Sequence, residues 1–531
     1  MATAGEIFQR KASGLVREGK PTDGILFNLV GGTLGPVIGW ILLFGIPFYP
    51  GSNVLLTVVI CFFLVFGQNV TYALFAAIMP RSGGDYVYVS RTFHPALGFA
   101  MNASFMFWIT FYVGTAGALF GQLGLATALR EFGQATGNLS VVSWGDWFYT
   151  SWGKFLAGLA VILIAGPIIL VARNGLRAYF RFQRYIVLFC LATLLVAIVA
   201  TAIMSHDAFV NSFNSYMHPF TGKGDSYQAI LTAGGQHGAF SWDQTLLAMT
   251  WPFYMASFLI QSSYWAGEHR PGLRAHLTGM VVAFGIAFAV TLLAVGVSIH
   301  AYGTDFLNAL GLVKPSDFGL SFTPYYVELV GTWTGPIVAI FLAIGLGAWL
   351  IPYVPGLSIM VTRSMLAWSF DGIMPEWLGR VDERTHNPVN ATIITYASAI
   401  FLLALYSFTS TLSVVTALLG FALTFFVACV AAIVFPYRRR DLFDKSPGAV
   451  RIGGVPLLTI TGILGAAGLA FIIVELIRDP SSGTNWPLNQ GQIYAIIAAI
   501  LVGFVLYGLS WFLRRRQGAD ITVAYRALPP E

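Results

Sequence analysis

Twelve stretches of this chain are so nearly continuous in apolar side chains that water is excluded as their surroundings. They cover roughly 24–48, 52–79, 95–127, 153–172, 183–204, 245–267, 275–301, 333–362, 389–408, 411–436, 455–477 and 490–513. A helix of about 20 apolar residues crosses the ~30 Å hydrocarbon core of a bilayer with its backbone hydrogen bonds satisfied internally. Charge leaves little alternative. A soluble domain covers its surface with roughly 25% charged residues, and only 10% of these 531 residues are charged. Lipid has to cover what charge does not. The expected fold is an all-α membrane protein of about twelve transmembrane helices.

Positive charge orients the bundle. With both termini on the inner side, all but five of the 29 Lys and Arg residues fall in inner segments; the five are Arg130, Lys154, Lys223, Lys314 and Arg478. The bias alternates connection by connection, so one missed span would scramble it. The expectation is a multi-pass protein of the cell membrane with cytoplasmic termini. Residues 1–23 read as a polar cytoplasmic leader and 514–531 as a cytoplasmic tail. The basic residues sit in short connections, not along one face, which argues against nucleic acid as a partner. The outer connections 205–244 and 302–332 are long enough for lids.

Glycine and proline sit where a plain span has no use for them. The first span reads FNLVGGTLGPVIGW, with Gly31, Gly32, Gly35 and Pro36 near its middle. Pro36 lacks an N–H and disfavours helix at the residue before it. The sixth reads TWPFYMASFLIQSSYWAGE, with Pro252 ahead of the small pair Ala256 and Ser257. Interruptions at the first and sixth positions are what a five-plus-five inverted repeat predicts. Their free backbone groups and half-helix dipoles suit a carboxylate or an amine. Helix unwinding is expected near Gly32–Gly35 and Met255–Phe258.

Catalysis finds no constellation. The eight histidines are scattered over connections and helix ends without HxxxH or HExxH spacing, and Cys61, Cys190 and Cys429 lie in three separate apolar runs. The cysteines read as small buried hydrophobes. No enzyme, cofactor or metal is indicated. Intramembrane charges are usually functional, and the candidates here, Glu268, Glu475 and Asp85, lie at edges. A polyamine would want midplane carboxylates, and an acidic amino acid would want Arg or Lys. A neutral zwitterion fits better, beside the rings of Tyr112, Trp251, Phe253, Tyr254 and Phe258. A polyamine carrier or exchanger of the same fold, and an uncoupled facilitator, are the alternatives.

Three connections resemble those of the amino acid–polyamine–organocation permeases. YALFAAIMPRSGGDYVYVSRTFHPALGF carries Pro80, Gly83, Gly84, Tyr86, Tyr88, Gly98 and Phe99 in that family's pattern. TRSMLAWSFDGIMPEWLGRVDERTHNP places Arg363, Asp371, Gly372, Pro375 and Pro388 as the family does, and WAGEHRPGLR resembles its Glu-x-x-x-Pro ending, one residue short. The resemblance implies a LeuT-like repeat: a first five-helix unit over 24–204, a connection over 205–244, a second unit over 245–436, and helices 11 and 12 over 437–513. It implies alternating access around a site between spans one and six. By position that site comprises Gly31, Gly32, Thr33, Leu34 and Gly35 with Tyr254, Met255, Ala256, Ser257 and Phe258, and span three adds Tyr112. Tyr254 falls where relatives place a gating ring. The chain departs from the pattern at Pro36 and Val37, where relatives offer Gly-Ser-Gly amides, and at Phe258, where they carry Gly. Cys190 stands where proton-linked relatives carry Lys, and span eight lacks the hydroxyl pair of sodium-linked ones, so Glu268 and Asp85 remain the coupling candidates.

Overall fold

The computed structural model describes residues 14–269, 272–320, 322–324, 326–409, 412, 414, 416–518, 520–526 and 528. Leader residues 1–13, Pro271 of the sixth-span ending and Ser410 of the short hairpin lie outside the described residues.

Eleven described helices are long and apolar enough to cross a membrane. In chain order these are span 1 (Pro21–Leu43), 2 (Val54–Ile78), 3 (Pro95–Ala135), 4 (Ser151–Val171), 5 (Gly175–Ala202), 7 (Leu273–Tyr302), 8 (Pro336–Phe370), 9 (Val389–Phe408), 10 (Ala417–Arg438), 11 (Leu457–Arg478) and 12 (Gln490–Arg516). The sixth apolar run is absent from that set because it is nowhere a continuous span. It is helical over Trp242–Leu247 and Thr250–Ser257, turns at Phe258–Ile260, and resumes as tight 3₁₀ turns at Gln261–Tyr264 and Ala266–Glu268.

Span 1 starts at Pro21, where a fixed φ and a missing N–H cost nothing. It is helical to Gly32 and restarts at Leu34. The whole break is Thr33, held at φ 43° and ψ 54°, a left-handed conformation that is strained for a β-branched residue. Pro36 enters in the first turn of the second half-helix, where no intrahelical donor is lost. The break thus lies inside the expected Gly32–Gly35 window. In the sixth run the helix continues through Ser257, so the turn begins at the far edge of the Met255–Phe258 window.

Other boundaries also differ from the apolar runs. Span 3 continues to Ala135 through a π-helical turn at Gly121–Leu125. Span 10 begins at Ala417, six residues after the start of its run. The connection 205–244 contains helices His206–Thr221 and Ser226–Gly234, and the one before span 8 contains Thr304–Leu312 and Tyr326–Thr334.

Burial separates the inside of the bundle from its lipid face. In span 1, 83% of the hydrophobic window is buried inside the protein, against 17% in span 12. Span 8 packs on span 3, and span 11 packs on spans 10 and 2. Phe63, Ile164 and Ile337 point outward and fully exposed, which is tenable only against hydrocarbon. The ends of the chain meet the connections after spans 2, 4, 6, 8 and 10 on one face. Glu18 pairs with Arg177, Gly19 donates to the Glu268 carbonyl, and Arg439 reaches the Tyr525 carbonyl. This is termed the basic face.

Candidate substrate site and gate

The two breaks meet. A methyl group on Gly31 would lie 2.5 Å from Cδ of Gln261, and one on Gly35 would lie 2.8 Å from the Trp349 ring and from Leu346. One on Gly32 would touch Leu259 and Met255. These glycines let the two interrupted spans and span 8 approach to backbone distance. On these segments Thr33 Oγ1, Ser257 Oγ, Gln261 Nε2 and Trp349 Nε1 are all buried and without a hydrogen-bond partner among the described residues. Buried polar atoms are nearly always paired.

The carbonyls freed by the sixth-span turn are not open. Gln68 Nε2 donates to Ser257 O at 3.1 Å, and Asn69 Nδ2 donates to Leu259 O at 2.9 Å. Asn28 joins the two broken spans nearer the basic face: its Oδ1 accepts from Ser262 N, and its Nδ2 donates to Ser262 Oγ and Gly279 O. These three amides were not singled out in the sequence, although Gln68 and Asn69 form a conspicuous polar pair inside an apolar run.

Above the breaks, on the face opposite the basic one, a cavity of about 430 Å³ is lined by Trp40, Phe44, Trp251, Tyr254, Tyr406 and Leu418 among others. Of the residues the sequence placed beside the substrate, Tyr254 and Trp251 line it. The Tyr254 ring meets Trp40 edge-on at 5.5 Å and stacks on Phe258 at 5.8 Å. Tyr112 lies 5.7 Å from Tyr254 and 6.1 Å from Phe258, and donates its hydroxyl to Val414 O at 2.6 Å. Phe421 closes the group edge-on to Phe258 at 5.0 Å. The cavity therefore reaches an aromatic floor through Tyr254. Met255 and Ala256 pack below that floor, Met255 through its sulfur against the Thr291 hydroxyl.

The basic face is shut. Trp265 stacks on His269 at 3.9 Å and packs against Phe180 at 4.8 Å and Phe27 at 5.4 Å. Glu268, one coupling candidate, makes a bidentate ion pair with Arg363 at 2.8 and 3.0 Å; both side chains are fully buried, and Arg363 also reaches Asn387. Arg91 holds Asp371 through two bonds of 2.6 and 2.7 Å, and Tyr86 donates to the same carboxylate. Asp85, the other candidate, begins the short helix Asp85–Thr92 that connects spans 2 and 3. It accepts from the Tyr264 hydroxyl and from Asn102. No cation pairs with it among the described residues, and burial pushes its carboxyl up to about 7 against the opposing hydrogen bonds.

The motif residues of the connections build this seal. Gly83 N donates to Tyr264 O, and a methyl group on Gly84, at φ 53°, would lie 2.7 Å from the Tyr264 ring. One on Gly98 would strike the Ser90 backbone. Buried charge is not confined to this face. Arg130, Glu131 and Glu328 are fully buried on the opposite one, with Arg130 bonded to Asp146 at 3.0 Å and Glu131 accepting from Tyr216 at 3.1 Å. The sequence search confined deep charge to the edges and read Arg130 only as an outer-loop cation. The adjacent Arg130–Glu131 pair at the end of an overlong span was the available signal.

A lipid-embedded helical bundle with two broken spans meeting at its centre, open towards one side and sealed on the other, is a membrane transporter. The chain belongs to the amino acid permease family: the family's model matches residues 25–506. A comparison with curated proteins returned no match.

Proposed function

We propose that this permease carries a neutral amino acid, or a closely related small zwitterion, by alternating access through the junction of its two broken spans. The observation that carries the reading is the group of unpartnered buried atoms Thr33 Oγ1, Ser257 Oγ and Gln261 Nε2 at that junction, beneath a cavity whose described lining is uncharged. The substrate carboxylate meets the amide end of the half-helix that starts at Leu34, where the macrodipole is positive. Pro36 withdraws one amide there, so side-chain donors such as Gln261 and Trp349 take a larger part. The aromatic floor of Tyr112, Tyr254, Phe258 and Phe421 receives an apolar or small side chain. Substrate enters past Trp40 and Tyr254, and release requires the Glu268–Arg363 and Asp85–Tyr264 contacts to part. The five-plus-five repeat relates the halves that move, the termini are cytoplasmic, and the cavity faces the outside.

Of the two coupling candidates the reading favours Asp85. The Glu268 charge is already matched by Arg363, whereas Asp85 has only neutral partners. The test of the site is uptake by purified protein in proteoliposomes. Gly32→Leu drives a side chain into Leu259 and Met255, and Ser257→Trp fills the junction. Both variants are expected to reach the membrane folded and to lose at least about tenfold in uptake of leucine or alanine. Normal uptake in both places the site elsewhere, and competition by arginine, putrescine or glutamate but not by leucine or alanine refutes the neutral substrate.

A further inference from the structure

On the basic face, with Phe180 of the Trp265 seal in its lining, a cleft of about 610 Å³ lies between the segment leading into span 1 and the first turns of span 5. Its lining carries five cations, Arg17, Lys20, Arg177, Arg181 and Arg184, against two carboxylates, Glu18 and Asp23. The carboxylates are committed. Glu18 takes Arg177 in a bidentate pair at 2.5 and 2.8 Å, and Asp23 takes Arg184 at 3.1 Å. Arg181 has no ion-pair partner among the described residues. Among the described lining residues cations thus outnumber carboxylates around a concave space, and Arg side chains present paired N–H donors that match phosphate oxygens.

Span 5 shows what kind of molecule brings the phosphate. Arg177, Arg181 and Arg184 recur at helical spacing, so they share one side of the helix. The same side continues through Leu188, Leu195 and Val199, which are 53%, 58% and 50% exposed. Exposed leucine and valine on a spanning helix face hydrocarbon. A single stripe therefore runs from a basic cleft at the membrane boundary into the acyl region, with the exposed ring of Tyr185 at the junction. A soluble anion would use only the first half of this stripe.

The geometry points to a binding site for the phosphate headgroup of an anionic phospholipid, held by Arg17, Arg181 and Arg184 with its acyl chains along Leu188 and Leu195. The site bears on the gate because the segment that forms one wall also donates from Gly19 N to the Glu268 carbonyl at 2.9 Å. A headgroup bridging this segment to span 5 holds the basic face shut. The inference rests on neither the substrate nor the direction of transport.

The test uses the full chain in phosphatidylcholine nanodiscs, titrated with short-chain phosphatidylglycerol and, separately, with inorganic phosphate, the readout being thermal stability. Phosphatidylglycerol is expected to raise the melting temperature of the parent protein. In the double variant Arg17→Gln/Arg181→Gln the apparent affinity for it falls about tenfold or more, since charge-assisted bonds to the phosphate are lost. Arg451→Gln, an exposed arginine of the same face far along the chain, controls for general surface charge and is expected to behave as the parent. Equal affinity in the double variant and the parent overturns the site. A matching effect from inorganic phosphate alone overturns the lipid assignment.

Discussion

In the proposed alternating-access cycle, the chemistry of Asp85 depends on whether the basic face is sealed or open. In the sealed arrangement burial raises its carboxyl from the ordinary 3.8 to about 7. Once the basic face opens and water reaches it, the carboxyl returns towards its ordinary value. The sealed form therefore binds the proton more tightly, so its extra stability is present below the ordinary carboxylate range and is lost as pH climbs through about 7. Opening of the basic face is thus expected to increase from about pH 4 to about pH 7 and to level off above that. Alkylation of a Ser263→Cys thiol, buried beside Tyr264 in the sealed form, checks this when normalised to an exposed Glu383→Cys control. The pH dependence is expected to flatten in Asp85→Asn. A dependence that survives unchanged in that variant assigns the proton to another group. Glycine at position 84 belongs to the same mechanism, because its left-handed backbone and missing side chain are what allow Tyr264 to reach Asp85.

At the scale of elements, the interrupted sixth run is held by its neighbours. Replacing Gln68 and Asn69 together by Leu leaves the Ser257 and Leu259 carbonyls buried and unpaired, at about 1–3 kcal/mol each. The expected outcome is a clear drop in thermal stability and in the yield of monodisperse protein. The Glu268–Arg363 pair ties the end of the same run to span 8. Arg363→Met strands a buried carboxylate and is expected to destabilise the sealed state by about 3–5 kcal/mol, while Glu268→Met/Arg363→Met recovers much of the loss. Recovery is checked by melting temperatures of the two variants side by side. The first break was legible in the sequence to within a residue, because Gly32, Gly35 and Pro36 are local signals that act through φ/ψ and a missing donor. The second was displaced by a few residues. Ala256 and Ser257 suit a break, but the turn was decided by tertiary partners: side-chain amides of span 2 that donate to the carbonyls of Ser257 and Leu259. The connection motifs were readable as family pattern, yet their physical purpose, a glycine hollow for Tyr264, exists only once distant segments meet. The aromatic floor was half legible, in Tyr112, Tyr254 and Phe258; Phe421 and Trp40 carried no mark distinguishing them from other apolar residues of their spans.

For the whole molecule, the distribution of charge makes a prediction about sidedness. Ser316, before span 8, and Glu383, between spans 8 and 9, are both exposed, on opposite faces. In intact cells a membrane-impermeant maleimide is expected to label Ser316→Cys and to spare Glu383→Cys until the membrane is permeabilised. The reverse result inverts the bundle. The same whole-molecule view gives the discontinuous sixth run a second meaning, which concerns how the chain enters the membrane. A ribosome delivers the spans in order, and each is judged by the insertion machinery largely on its own hydrophobicity. A segment that is helical only to Ser257 and then turns exposes backbone that lipid does not satisfy. Its partners Gln68, Asn69 and Asn28 belong to spans made long before it, whereas Gly279, which shares Asn28 with Ser262, belongs to the span made next. The sixth run is therefore expected to enter as a continuous helix or to wait at the bilayer edge, and to take up its broken form only after span 7 has arrived. Biogenesis of this permease then has a late, post-insertional rearrangement at its centre, and variants that stiffen 258–260 into helix would insert readily and mature poorly.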